Sequence, residues 1–222
     1  MTKLVEKIKG IIEGIEKPIS SQYEDLIEDS LKIPCTEELA YQIAMYAHKE
    51  QYRVNGEPYI NHPLNMGKRW LEVFKWNSPN PYKTEAMNDN DIPRFGVLEV
   101  IFLHDVIEDT KYTMEDIEEV FIEYGHKNYF STYIKKPLEC ITHRKKEKYE
   151  DYIERVLSDK TAALVKMFDT MDNLNLFSLT ELTEYEYKRS KKYLKIFKMI
   201  NDKYHYIEKI NNYREDVGLK VN

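Results

Sequence analysis

Apolar residues recur along most of this chain at spacings of three and four and seldom alternate, which predicts amphipathic helices rather than strands and an all-α fold. Leu4, Ile8, Ile11, Ile12 and Ile15 share one helical face, and the pattern breaks near Lys17-Pro18-Ile19-Ser20. Residues 1–35 therefore read as N-terminal helices with a packing role. Thr36 can cap the next helix, which carries Ala40, Ile43, Ala44, Ala47, His48 and Gln51 on one face and runs to Arg53. Asn55-Gly56-Glu57-Pro58 is a turn signal. Pro63 suits the first turn of a helix over 63–76, with Leu64, Trp70, Leu71 and Phe74 as core and His62 at its entrance.

Residues 77–93 are polar and proline-bearing, with no hydrophobic period, and read as an insertion loop that is either a lid or plain surface. A central helix follows through 101–110, then one over 114–124 that Thr113 and Asp116 open as a capping box and Gly125 closes. The segment 126–142 is helical with an interruption near Pro137, and further helices cover 149–157 and 161–174. One long C-terminal helix over 180–217 presents Leu194, Phe197, Ile200, Ile207 and Ile210 on a single face.

Composition narrows this picture. With 222 residues the chain fits a single domain that needs no disulfide to hold a core. Cys35 and Cys140 lack paired spacing and read as reduced thiols, which places the protein in the cytoplasm. Charged residues punctuate the N-terminus and no apolar run reaches membrane-spanning length, so neither signal peptide nor membrane helix is expected. A net charge of -6 argues against nucleic acid as a partner and leaves a small anion held by a local cluster. Assembly into a homo-oligomer is left open.

Candidate chemistry concentrates in Ile101-Phe102-Leu103-His104-Asp105-Val106-Ile107-Glu108-Asp109-Thr110, where one histidine and three acids interrupt an apolar run. On one continuous helix, His104 and Glu108 are four apart, as are Asp105 and Asp109, so all four would lie toward one side. An adjacent imidazole and carboxylate can both ligate one divalent cation, and the second acidic pair could move protons. Asp169 and Asp172 interrupt the apolar helix 161–174, and a buried acid is expensive unless it is paired or bound to metal. Thr142-His143-Arg144-Lys145-Lys146-Glu147-Lys148, the most basic patch, is short for a polyanion but suits a diphosphate.

Four separate segments carry a resemblance. Ala47-His48-Lys49-Glu50-Gln51-Tyr52-Arg53, Gly56-Glu57-Pro58-Tyr59-Ile60-Asn61-His62-Pro63, His104-Asp105-Val106-Ile107-Glu108-Asp109-Thr110 and Val165-Lys166-Met167-Phe168-Asp169 together resemble the hydrolase domain of the RelA/SpoT alarmone enzymes, over roughly residues 36–176. The likeness is to the single-domain small alarmone hydrolases of the HD phosphohydrolase superfamily, and it implies an HD-domain bundle of about ten helices. It implies that His62, His104, Asp105 and Asp169 hold one metal, typically Mn2+, with Fe2+ or Zn2+ as alternatives. It assigns Glu108 and Asp109 to the attacking water and the protons, and it matches Arg53, Lys166 and Asn173 to the substrate site, where Lys145 and its neighbours would help to neutralise a diphosphate.

The implied activity is removal of the 3′-pyrophosphate from (p)ppGpp-type alarmones, with water acidified on the metal as nucleophile. Alternatives are the same chemistry on another phosphorylated nucleotide, such as NADPH, or an antitoxin that neutralises an alarmone-synthetase toxin. Three departures bear on the substrate. The chain writes Asp169-Thr170-Met171-Asp172 where the family commonly ends that run in histidine, Leu176 replaces an expected threonine, and the 77–93 stretch is longer than usual.

Overall fold

The computed structural model of the protein describes residues 2–13, 34–74, 92–175 and 181–216. The expected second N-terminal helix, nearly all of the 77–93 loop, Leu176 and Val217 lie outside them. Within them every regular element is helical, as the hydrophobic period predicts, and the only β-type pairing is an isolated antiparallel bridge between Tyr52 and Pro58 across the turn at Gly56.

The core is built around the helices over residues 97–103 and 160–173. Helix α1 (Lys3–Glu13) buries Leu4, Val5 and Ile8, and α2 (Thr36–Ala47) buries Leu39, Ala40, Ile43 and Ala44. Helix α3 (Asn61–Phe74) leads to α4 (Val97–Leu103), in which Val97, Val100, Ile101 and Leu103 are wholly buried. A one-turn helix α5 (Val106–Asp109), α6 (Met114–Glu123) and α7 (Lys127–Tyr129) come next. A π-helical stretch (Phe130–Ile134) then leads into α8 (Lys135–Ile141), followed by α9 (Tyr149–Val156) and α10 (Lys160–Asn173). Helix α10 is buried along most of its length, enclosing Ala162, Ala163, Leu164, Val165, Met167 and Phe168 together with the polar Asp169, Thr170 and Asp172. It packs on α3, α4, α8 and on α11 (Glu184–Tyr204), while α12 (Tyr206–Asp216) returns against α3. This packing brings the C-terminal end of α4, the last turns of α10 and the first turn of α3 to one place.

Several boundaries differ from those read in the sequence, each for a local reason. Helix α2 stops at Ala47, and His48 caps it, because its Nδ1 pairs with Gln51 Oε1 at 2.6 Å and its ring packs on Tyr59. Leu64 and Leu71 are exposed; the buried stripe of α3 is Met66 and Trp70, flanking Gly67, where α4 passes so close that a Cβ would meet Leu98 at 3.1 Å. The central helix is not continuous: α4 ends at Leu103 and α5 begins at Val106, with His104 Nδ1 turned back onto the Ile101 carbonyl at 2.8 Å. The capping box at Thr113 and Asp116 is present, but the interruption in 126–142 is the π-helical stretch, not Pro137, which sits in the first turn of α8 where its missing N–H is harmless.

The long C-terminal helix is two helices. His205 adopts a left-handed conformation (φ 54°) between them, because the hydroxyls of Tyr204 and Tyr206 reach the carbonyls of Leu157 and Lys160. Of its expected apolar face, Ile200 is buried, whereas Leu194 and Ile207 are exposed.

Candidate metal centre

His62 arrives in the first turn of α3, His104 and Asp105 form the break between α4 and α5, and Asp169 projects from α10. Their inward atoms converge. His62 Nε2 lies 3.1 Å from Asp169 Oδ1 and 3.8 Å from Asp105 Oδ2, and His104 Nε2 lies 2.9 Å from Asp105 Oδ2 and 4.0 Å from Asp169 Oδ1. The ligand atoms that His62, His104 and Asp105 offer all fall within 4.8 Å of one another.

These separations can be compared with what one ion would impose. Two ligands each about 2.1 Å from a common cation stand roughly 3.0–3.4 Å apart at ordinary angles, and no more than about 4.2 Å when opposite. The four contacts above fall within or near that range. The hydrogen bonding agrees. His104 gives its Nδ1–H to a carbonyl, which can only accept, so in the neutral ring Nε2 carries a lone pair. That nitrogen is buried and finds no hydrogen-bond partner among the described residues, although Asp105 Oδ2 lies 2.9 Å from it. Such an orphan costs about 1–3 kcal/mol, which a cation between the two lone pairs would offset. Two imidazole nitrogens and two carboxylate oxygens form a donor set suited to manganese, iron(II) or zinc.

A ring of buried partners fixes this set. Asp172 Oδ2 accepts from His62 Nδ1 at 2.7 Å, so His62, like His104, presents Nε2 inward. Lys166 Nζ pairs with Asp169 Oδ2 at 2.7 Å, and Asn173 Nδ2 donates to Asp169 Oδ1 at 2.6 Å. Arg53 Nη1 pairs with Asp172 at 2.7 Å. Thus Arg53, Lys166 and Asn173, expected at the substrate, are each also tied to an acid of the centre. Tyr59 donates from its hydroxyl to Asp105 Oδ2 at 2.5 Å and reaches Asp109 Oδ2 at 3.3 Å.

The charges follow from these contacts. Burial disfavours ionised Asp105 and Asp169, but His104 and Lys166 respectively lead the groups that outweigh it, and both carboxyls are held well below the usual range. Burial likewise opposes a charge on His62, yet its hydrogen bonds to Asp169 and Asp172 prevail and lift it to about 9.

Above the centre opens a cavity of about 380 Å³, lined by Arg53, Tyr59, His62, Asp105, Lys166, Asp169 and Asn173 on one side. Tyr52, Val54 and Asn55 also line it, as do Glu181, Glu186, Arg189 and Tyr193 from the C-terminal region. The volume falls in the range of pockets that hold small organic ligands.

Other expected residues sit elsewhere. Glu108 and Asp109 are exposed on α5 and do not line the cavity; because the chain breaks at Asp105, they do not share one helical face with His104. Glu108 Oε2 instead accepts from the His143 backbone N–H at 2.9 Å, and Asp109 meets the centre through Tyr59. Lost hydration pushes both carboxyls up, and the charge of Asp105 adds to the effect. Lys145 is exposed and is not part of the cavity wall, so the structure does not bring it together with the other candidates.

Sequence reasoning missed Tyr59, Arg189 and Tyr193. Tyr59 lies three residues before His62, within a segment already singled out, and that spacing was its signal. Arg189 and Tyr193 are four apart on α11 and so share a face, but nothing in the sequence ties that face to the distant motifs.

No family model matches the chain. Among curated proteins it is similar to the guanosine-3′,5′-bis(diphosphate) 3′-pyrophosphohydrolase of Aquifex aeolicus, 32% identical over 143 residues that make up 61% of this chain and 17% of that protein. It is also similar to the bifunctional (p)ppGpp synthase/hydrolase SpoT of Escherichia coli, 37% identical over 82 residues, 37% of this chain and 9% of that one. The chain thus spans less than a fifth of the length of either relative. A solved structure described as a metazoan ortholog of SpoT that hydrolyzes ppGpp superimposes with a TM-score of 0.54 at 22% identity, covering 84% of this chain and 98% of that chain. The all-α fold is therefore common to both.

Proposed function

We propose that this chain is a metal-dependent phosphohydrolase that removes the 3′-pyrophosphate from (p)ppGpp-type alarmones, with manganese as its ion and iron(II) or zinc as substitutes. One observation carries the reading: two imidazoles and two carboxylates from three separate segments converge beside a cavity of about 380 Å³ that His62, Asp105 and Asp169 line, and among the described residues the buried His104 Nε2 lacks a hydrogen-bond partner. The likeness to named (p)ppGpp hydrolases supports the choice of substrate.

His62, His104, Asp105 and Asp169 would hold the ion. Bound there, a divalent cation acidifies water and polarises phosphoryl oxygen. The remaining chemistry falls to the chain's own side chains. Lys166 and Asn173 keep Asp169 aimed inward, and Tyr59 does the same for Asp105. Glu108 and Asp109, whose carboxyls are raised by lost hydration and by the charge of Asp105, would take a proton from the attacking water and return one to the leaving 3′ oxygen. Arg53 and Arg189, which both line the cavity, would hold phosphate oxygens, and Tyr193 would offer an aromatic face to the base. Both cysteines are free, which suits a reducing compartment and supports the cytoplasm as its location.

The direct test is turnover of ppGpp by metal-stripped protein with and without added Mn2+, following pyrophosphate release by chromatography. Manganese-dependent release of pyrophosphate is expected. Intact ppGpp beside consumption of another nucleotide, NADPH included, would reassign the substrate, and no turnover of any nucleotide would sink the enzymatic reading.

A further inference from the structure

Asp172 stands where the resembled family commonly has histidine. Its side chain is 1% exposed, and a single oxygen, Oδ2, accepts from His62 Nδ1 at 2.7 Å and from Arg53 Nη1 at 2.7 Å. Burying a carboxylate is unfavourable unless its charge is used, and here both neighbours use it. On one side lies an imidazole of the candidate metal centre, and on the other an arginine that lines the cavity and is itself only 15% exposed. A histidine at this position could engage only one of them through one ring nitrogen, because its other nitrogen points away across the ring.

We propose that Asp172 is a positioning residue that joins the two halves of the site: it holds His62 as the Nδ1–H form with Nε2 aimed at the ion, and it holds Arg53 against the cavity wall where phosphate binds. This rests on the metal-dependent reading given above. A carboxylate behind a metal-holding imidazole orients the ring and raises its basicity, and losing such a partner typically weakens metal affinity 10–100-fold. The same acid sets the reach of Arg53, so one substitution should disturb both cation and nucleotide, whereas substitution of Arg53 should disturb the nucleotide alone.

The experiment measures Mn2+ affinity of the full chain without nucleotide, by the electron paramagnetic resonance signal of free Mn2+, alongside KM for ppGpp. Asp172→Ala should bind Mn2+ about 10–100-fold more weakly than wild type and raise KM. Asp172→Asn keeps an oxygen able to accept both hydrogen bonds but removes the charge, and should bind Mn2+ between threefold and tenfold more weakly. Arg53→Ala should stay within threefold of wild type for Mn2+ while raising KM. A merely structural role would lower the melting temperature and leave Mn2+ affinity untouched. Unchanged Mn2+ affinity in Asp172→Ala overturns the proposal while the metal site stands, and if that variant fails to fold, unchanged affinity in Asp172→Asn overturns it equally. Wild-type protein that binds no Mn2+ overturns both this inference and the reading it rests on.

Discussion

The acids nearest the candidate centre divide into two kinds. Asp105 and Asp169 are enclosed, each gripped by a histidine and by a hydroxyl or an ammonium, and their carboxyls are held well below the ordinary range. Glu108 and Asp109, a few residues along the same chain, are exposed, and theirs are pushed up. A carboxylate that ligates a cation must stay ionised, whereas one that exchanges protons works best when its affinity for them approaches that of the medium. In the proposed reaction the two sets of carboxyls would take these two roles. The helix break at Asp105 separates Asp105 from Glu108 and Asp109, which a continuous helix would have kept toward one side.

Removing a member of the first kind should have the largest effect. His104→Ala deletes the unpartnered nitrogen and leaves Asp105 only the His62 imidazole, 3.8 Å away. An ion contributing several kcal/mol to the transition state corresponds to a loss of at least about 10³-fold in ppGpp turnover. The variant should also fail to retain Mn2+ on desalting. A variant that keeps a tenth of the activity would show that the enclosed set is not the seat of the chemistry.

A member of the second kind should behave differently. In Glu108→Gln, kcat should fall by about 10²–10⁴-fold, the usual contribution of a proton-transfer group, while Mn2+ affinity stays within a few-fold of wild type. Metal affinity falling in step with kcat would make Glu108 a ligand and erase the distinction between the two kinds.

The enclosed set also predicts a pH signature in the metal-free protein. His62 is lifted from 6.5 to about 9 in the folded state. Below about pH 6.5 both folded and unfolded chains carry this proton and the stabilisation is complete. Between there and about pH 9 only the folded chain keeps it, so stability declines as pH rises, by an amount on the order of 3 kcal/mol. Asp105 and Asp169 do not oppose this trend, because their shifts matter only under acidic conditions. Thermal melts from pH 6 to pH 9.5 should show the fall without metal, and saturating Mn2+, which displaces the proton, should flatten it. A flat metal-free profile would mean that His62 is not held between Asp169 and Asp172 as described.

How much of this was legible in the sequence follows the same division. Enclosed residues must sit in apolar helices, and a histidine or acid inside such a helix stands out, so His104, Asp105 and Asp169 could be found from pattern alone. His62 was marked by the proline that opens its helix. The break at His104-Asp105 was not legible, because it depends on a side chain bonding its own backbone at Ile101, and no residue there is a helix breaker. The division of the C-terminal segment at His205 was hidden for a related reason, as it is set by tyrosine hydroxyls reaching carbonyls far away in the chain. Arg189 and Tyr193 lie on a helix whose composition reads as solvated surface, and only the packing of α11 on α10 turns that face toward the cavity.

The basic residues allow the finest comparison, because the structure separates Lys145, expected at a diphosphate, from Arg189, which the sequence did not single out. Arg189 faces the cavity, whereas Lys145 is exposed on the loop between α8 and α9 and takes no part in the cavity wall. That loop is pinned by Arg155, which pairs with Glu147 at 2.6 Å and caps the carbonyls of Cys140 and Thr142, so its shape does not depend on Lys145. A charge-assisted contact to phosphate is worth about 1.5–3 kcal/mol, so Arg189→Ala should raise KM for ppGpp by roughly 10–100-fold. An exposed lysine acting through screened water contributes far less, and Lys145→Ala should leave KM within about twofold at 0.15 M salt. Should Lys145→Ala raise KM as much as Arg189→Ala, the diphosphate must extend over the loop, and the basic patch rather than α11 would be the anion-binding wall.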